Sequence, residues 1–573
     1  MTKMISKCDL LRVPLVLVCV GLCFGCGGRD SLAGDSAREE GTAGAAESDV
    51  QNPVPSAETA AGKKDRTALA ALRKEIKRPA VTPYRVIFNC DGSGVFSSAK
   101  GSVDAYIQNV FGPLEDSHVD ALFWNDGAGG NTASYDSEVL ELTGARIGKV
   151  DPDLLRWIKE GNDPPKVVVR EAKKRGLDIF YSFRINDIHD AFTPVEFPTF
   201  KVEHPEWMMG AAKFVDGQGL KVSIRDEVYF PELATALNFA VPEVRELKLR
   251  TIEAIFHKYD FDGIELDLMR FPRFFRAFLE YRNAVILTDF LRTVRQRLNE
   301  QSRQRGRPIK LAVRVDENLV ACRLDGFDVG TWIDEGLIDI LVVGDYAFPG
   351  DDDIQAFKDL AHGKPVQVYV CVARPHKIIG GVNKVLRGLA ANYWEQRADG
   401  MYTFNWVAYQ IPLLKEIGDP QLLVTKDKIF PADCSEYGPD AQFGHPSSPR
   451  FHNWMFVSLP VTLHEVWNAN SFTVISVDVA DDLGGPSAEK VKSLRLWVQL
   501  ENLVSGDVVD FRLNGHALAR MPDPEEGSLL QFTLRPDQLK VGRNEVGLRL
   551  NKRGAKAEND IIVAAVEIHV DYE

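Results

Sequence analysis

From position 84 onward, short apolar runs rich in β-branched and aromatic residues alternate with longer segments whose apolar positions recur three and four apart. Eight such runs follow one another: 85–91 (RVIFNCD), 121–126 (ALFWND), 178–184 (DIFYSFR), 261–267 (FDGIELD), 309–316 (IKLAVRVD), 338–345 (IDILVVGD), 365–372 (PVQVYVCV) and 400–406 (GMYTFNW). Segments 167–175, 241–259, 277–300 and 385–397 between them carry helical spacing, and Gly176 follows the first as a stop. This alternation predicts an α/β fold, a (β/α)8 TIM barrel over 81–420. After 417–420 (IGDP) the rhythm shifts to short alternating strands at 472–479, 493–500, 507–513, 529–534, 544–550 and 561–570. Turn signals at Asn514-Gly515 and 541–544 (VGRN) separate them, which predicts a smaller all-β sandwich (jelly roll) over 421–573.

Alternate residues of a barrel strand face the lumen or the surrounding helices. In 261–267, Ile264 and Leu266 share one parity and Gly263, Glu265 and Asp267 the other, so the acids point inward. The same rule puts Lys310, Ala312, Arg314 and Asp316 inside, with Gln367, Tyr369, Cys371, Ser182, Arg184, Thr403 and Asn405. Polar groups are thereby expected to collect at the mouth. The stretches 127–163 and 185–241 follow strands two and three on the face where barrels keep their sites, and are long enough to build substrate walls.

The start of the chain has a different character. Lys3, Lys7 and Arg12 precede the uncharged run 13–25, too short to span a bilayer, which reads as a secretory signal over 1–25. The run 22–27 (LCFGCG) resembles a bacterial lipobox, which implies lipid modification of Cys26. Residues 26–80 open with a stretch to 64 that holds one Leu and no aromatic residue, so they are read as a disordered tether. An extracytoplasmic protein anchored to a bacterial membrane through Cys26 is the expectation. Cys90, Cys322, Cys371 and Cys434 show no zinc spacing and are read as buried thiols. With 45% hydrophobic and 26% charged residues the rest is expected to fold, and a net charge of −14 argues against nucleic acid as a partner.

Asp91, Asp126, Arg184, Asp267, Asp316, Asp345 and Asn405 all fall at or near strand C-termini. Carboxylates in such a ring suit glycosidic cleavage, in which one acid protonates the leaving oxygen and another attacks or stabilises the oxocarbenium-like centre. Asp267 is the first choice for the second task, with Glu265 beneath it and Arg270 just beyond the strand; Asp345 is the preferred acid/base and Asp316 its rival. Arg184, Asp187 and His189 form a polar cluster after strand three, where His189 suits a sugar hydroxyl. Arg314, Tyr346, Asn405 and Trp406 complete the expected substrate contacts, the aromatic pair by stacking. No metal set has readable spacing, and no cofactor is expected. The serine-hydrolase elbow, zincin, nucleotide-loop and dinucleotide motifs are absent from the sequence.

The runs 259–267 (YDFDGIELD), 237–245 (LNFAVPEVR) and 398–405 (ADGMYTFN) together resemble the glycosyl hydrolase-like 10 group of barrel proteins, over roughly 84–414. The resemblance implies a glycoside hydrolase-type barrel acting on polysaccharide. Family 10 xylanases use glutamates after strands four and seven, whereas 370–374 (VCVAR) here holds no acid, so only Glu265 and Asp267 match. The C-terminal stretch resembles a galactose-binding-like jelly roll, which implies a carbohydrate-binding accessory module. Two alternatives stay open: a non-catalytic glycan-binding surface lipoprotein, and a polysaccharide lyase-type barrel with Arg184 and His189 central.

Overall fold

The computed structural model describes residues 83–573 except 192, 216–218, 224–233, 277, 345–349, 374–377, 407, 409, 435–457, 466–467, 469–470, 486–487 and 520–528. The leader, Cys26, the tether, Asp345 and Tyr346 therefore lie outside the described residues.

Eight parallel strands close on themselves: β1 (Val86–Asp91), β2 (Val119–Asn125), β3 (Asp178–Arg184), β4 (Gly263–Asp267), β5 (Lys310–Val315), β6 (Ile340–Val343), β7 (Gln367–Val372) and β8 (Gly400–Thr403). Each pairs with its neighbour in sequence, and β8 closes the ring by pairing Met401 with Val86. The strands are buried on both faces, which is why they read as near-continuous apolar runs. The helices around them bury one stripe each. In Glu280–Arg305 that stripe includes Leu287, Leu291, Val294 and Leu298, and Gly306 ends the helix in a left-handed conformation (φ 67°). An antiparallel pair, Ala211–Val215 with Gly219–Ser223, lies in the long connection after β3.

The lumen is packed in layers. At its lower end Phe123 stacks on Phe180 (4.3 Å between ring centres), beside Tyr84, Ile87, Ala312 and Tyr369. Gly263 belongs to this level, since a Cβ there would sit 2.3 Å from the Phe180 ring. Above it lie Asn89, Ser182, Glu265 and Tyr402, and above those Asp91, Arg184, Asp267, Arg314 and Phe404. The parity expectation holds for β3, β4, β5 and β7 and fails at β8. In β8 the inward line is Gly400, Tyr402 and Phe404: a Cβ on Gly400 would meet the lumenal Tyr369 ring at 2.7 Å, and the Arg314 guanidinium lies 4.0 Å from the centre of the Phe404 ring. Thr403 faces the helical shell instead, and Asn405 is exposed just past the strand at φ 51°. In β2 the inward line is Ala121, Phe123 and Asn125, which leaves Asp126 on the other face.

Two antiparallel sheets follow. One contains β9 (Lys428–Pro431), β10 (Val461–Leu463), β12 (Val491–Glu501), β15 (Leu529–Thr533) and β17 (Ile561–Tyr572); the other contains β11 (Thr473–Val479), β13 (Val508–Leu513), β14 (His516–Ala517) and β16 (Gly542–Lys552). They share one core, in which Leu496, Val498, Phe532 and Ile568 of the first sheet meet Val477, Phe511, Val546 and Leu548 of the second. The first sheet is fastened to the barrel beside helix Val382–Glu395. Glu567, almost fully buried, accepts the backbone N–H groups of Ile379 (2.5 Å) and Gly380 (3.0 Å), and Lys384 pairs with Asp571 (2.7 Å).

Candidate active site

The C-terminal mouth of the barrel brings several of the expected residues together. Asp91 ends β1 and caps helix Gly92–Ser98: its Oδ1 accepts from the backbone N–H (3.1 Å) and hydroxyl (2.9 Å) of Ser93. Its Oδ2 accepts from Arg184 Nη2 at 2.9 Å, and the side chain is 32% exposed against 4% for Arg184. Burial works against ionisation of Asp91, yet the Arg184 charge and the Ser93 contacts outweigh it and hold its pKa below the ordinary carboxylate value.

Asp267 ends β4 in a tighter environment. Its Oδ1 accepts from the backbone N–H groups of Met269 (3.0 Å) and Arg270 (3.1 Å) and from Arg314 Nε (2.9 Å), while Oδ2 accepts from Arg314 Nη2 (2.9 Å). Neither side chain of this bidentate pair has any exposed surface. Directly beneath, Glu265 accepts from Ser182 Oγ at 2.5 Å, and burial together with the Asp267 charge raises its pKa to about 7. Asp316, past the end of β5, is buried beside Glu317, and its carbonyl accepts a contact from the Cys322 thiol.

The loop after β3 supplies the rest. Asp187 accepts from the backbone N–H of His189 (2.7 Å) and binds its Nδ1, and Arg270 Nη2 lies 2.8 Å from His189 Nε2. A guanidinium can only donate, so Nε2 accepts and Nδ1–H donates to Asp187. Burial opposes ionisation of Asp187, but the hydrogen bond from His189 and the nearby Arg184 and Arg270 charges prevail and its pKa is lowered. Asp190 is paired with the buried Lys201, whose ammonium also reaches the Thr235 carbonyl at 2.7 Å. A glycine-rich turn packs on this cluster: a Cβ on Gly129 would lie 2.8 Å from the Asp187 carboxyl and one on Gly130 2.6 Å from the Phe183 ring, and Asn131 donates to the Asp187 carbonyl (2.8 Å).

Four expected contacts are corrected by this geometry. Asp126 shapes the loop rather than lining the opening: it accepts from Ala128 (3.2 Å) and Ser134 (3.0 Å), and burial lifts its pKa to about 6. His189 has both ring nitrogens engaged by protein, so it offers no free position to a sugar hydroxyl. Asn405 does not share the inward line of β8. Trp406 is buried with its indole N–H donated to the Val372 carbonyl (2.8 Å), so its ring presents no open face for stacking.

No family model and no curated protein matches the chain. Solved structures similar to it include a cycloisomaltooligosaccharide glucanotransferase from Paenibacillus sp. (9% identity, TM-score 0.31, 84% of this chain and 57% of that one). Others are alpha-L-fucosidase isoenzyme 2 from Paenibacillus thiaminolyticus (14%, 0.36, 59% and 49%) and the PgaB (BpsB) glycoside hydrolase domain from Bordetella bronchiseptica (10%, 0.39, 58% and 97%). The chain thus spans 57% and 49% of the first two. These structures are like it in fold alone.

One acid at the mouth escapes the strand pattern altogether. Glu196 ends the short turn Pro194–Glu196 in the loop after β3, is half-buried, and faces His189, Asp187, Asp190 and Arg184. Burial, reinforced by Asp187 and Asp190 and opposed by His189 and Arg184, raises its pKa to about 7. The sequence carries a faint signal, a single acid between Asp190 and Glu203, bracketed by Val195 and Phe197 and flanked by two prolines. Among the described residues no group of three His, Cys, Asp or Glu side chains is arranged to hold a metal ion, and no helix is long and apolar enough to cross a membrane.

Proposed function

We propose that this protein is a glycoside hydrolase-type barrel that cleaves oligosaccharide or polysaccharide with paired carboxyl groups at its C-terminal mouth. The observation that carries the reading is the divergence of acids sharing that mouth. Asp91 and Asp187 are held below the ordinary carboxylate range, while Glu196, facing the same Arg184, is lifted to about 7. Environments that drive carboxyl groups apart in this way supply both an anion and a proton donor near neutral pH, the two things glycosidic cleavage requires. The motif resemblance at 259–267 supports the same chemistry. In this reading Asp267 stabilises the positive charge that develops at the anomeric carbon, and its acid/base partner is an acid of the surrounding loops, Asp316 and Asp345 included. The lipid anchor at Cys26 and the 26–80 tether belong to the proposal, holding the barrel at a bacterial membrane surface within reach of external glycan.

One observation favours a second reading, a glycan-binding barrel without turnover: Asp267 exposes no side-chain surface and Arg314 engages both its oxygens. Release of reducing ends from a polysaccharide panel, with Asp267→Asn beside the wild type, separates the two. Turnover lost in the variant supports the hydrolase; glycan retention with no turnover by the wild type supports the binder. Products with an unsaturated ring would point to a lyase.

A further inference from the structure

The turn that carries Glu196 is fixed over the polar cluster from both sides. The Val195 carbonyl accepts from the Gly144 backbone (2.8 Å), the Phe197 carbonyl accepts from Arg146 Nε (2.8 Å), and Thr193 N donates to the His189 carbonyl (3.0 Å). The titratable and charged groups facing Glu196 are His189, Asp187, Asp190 and Arg184. Asp190 is matched by Lys201, and Arg184 by Asp91.

What sets Glu196 apart is availability. Asp91 is engaged by Arg184 and Ser93 and Asp267 by Arg314 and its own turn, while Asp187 and Asp190 are engaged through one oxygen each, by His189 and Lys201, and keep the other buried out of reach of solvent. No hydrogen bond among the described residues engages the Glu196 carboxyl, which is half-buried at the edge of the same cluster. A general acid needs this combination: enough burial to favour the neutral form, and an oxygen left open to the leaving group. We propose that Glu196 is the general acid/base of the barrel mouth, an assignment that rests on the glycoside hydrolase reading and names its proton donor.

In the first step the Glu196 O–H bond breaks and its proton passes to the glycosidic oxygen as the bond from that oxygen to the anomeric carbon breaks. The bonding pair leaves with the departing alcohol. The positive charge left on the sugar is balanced by an ionised carboxylate of the mouth. Water then gives its hydroxyl to the anomeric carbon and its proton to the Glu196 carboxylate, which restores the acid. Its raised pKa keeps the proton in place up to neutrality.

The test compares full-length wild type with E196Q on a panel of paired glycosides, alkyl against 2,4-dinitrophenyl, because dinitrophenolate departs without protonation. The expected result is a fall of ~10²- to 10⁴-fold in kcat/KM on the alkyl glycoside, with the dinitrophenyl glycoside changed by only a few-fold. The alkaline limb of the wild-type pH profile, near pH 7, is expected to vanish in the variant. Thermal melting monitors the fold of both proteins. Equal losses on the two leaving groups, or unchanged turnover by E196Q, would overturn the role of Glu196 and leave the hydrolase reading standing. No turnover by the wild type on any glycoside would overturn that reading and the assignment together.

Discussion

Replacing Glu265 with Gln should make the protein's stability less sensitive to pH, by an amount set by the lumen itself. Glu265 is fully buried two residues before Asp267; its Oε2 accepts from Ser182 Oγ at 2.5 Å and lies 3.5 Å from Asn89 Nδ2. Burial is the largest influence on it and the Asp267 charge adds to it, while Arg314, Ser182 and Tyr402 pull the other way; its pKa is raised from 4.5 to about 7. Between those two values the native chain holds a proton that the unfolded chain has released. Stability therefore falls as pH rises through this window, with no penalty below the unfolded value and the full penalty above the folded one. At ~1.4 kcal/mol per pH unit the gap is worth ~3 kcal/mol. Gln is neutral throughout and keeps an acceptor for the Ser182 hydroxyl. Urea unfolding followed by circular dichroism, in steps from about pH 4.5 to 8.5, should show the variant gaining ~3 kcal/mol on the wild type across the window. Glu196 titrates in both proteins and cancels in the comparison. A stability difference that stays constant over this pH range would refute the reasoning, because Glu265 would then not change its charge there.

Arg314→Met strands a buried carboxylate and should cost ~3–5 kcal/mol in urea unfolding, most of it recovered when Asp267→Asn is added to the same chain. Gly130→Ala should cost ~2 kcal/mol or more, read as a lowered Tm: the residue sits at φ 68° and its Cβ would meet the Phe183 ring at 2.6 Å and the Arg184 carbonyl at 2.7 Å. Glu567→Ala leaves the backbone N–H groups of Ile379 and Gly380 without their acceptor, at ~1–3 kcal/mol each where buried, and calorimetry should then resolve a separate, earlier transition for the sandwich.

Much of the fold was legible because a barrel strand buried on both faces leaves a plain trace. The run 178–184 coincides with its strand, and the other seven overlap theirs with ends that differ by a few residues. Strands that lack that trace went unread. Lys428–Pro431 carries a lysine and a proline in four residues; the strand forms because β17 offers it an edge and the Lys428 ammonium finds backbone carbonyls, Lys426 among them at 3.0 Å. Parity failed at β8 for a related reason. Alternation places polar Thr403 in the lumen, but the upper lumen there needs the bulk of Tyr402 and Phe404, and Gly400 fixes the register through its contact with the Tyr369 ring.

The site was legible as membership and not as availability. Inward parity correctly gathers Ser182, Arg184, Glu265, Asp267 and Arg314, but inward groups are also each other's nearest partners, and here they satisfy one another: Ser182 with Glu265, Arg314 with Asp267, Arg184 with Asp91. A buried charge without a partner is too costly to persist, so the strand-end acids of such a lumen tend to be neutralised before substrate arrives. An acid left open has to come from a segment whose position depends on distant contacts, as Glu196 depends on Gly144 and Arg146, and no period within its own neighbourhood records them. Chemistry in this barrel is therefore to be sought in the long connections after β2 and β3, whose pairing with each other sets what the strand ends alone do not.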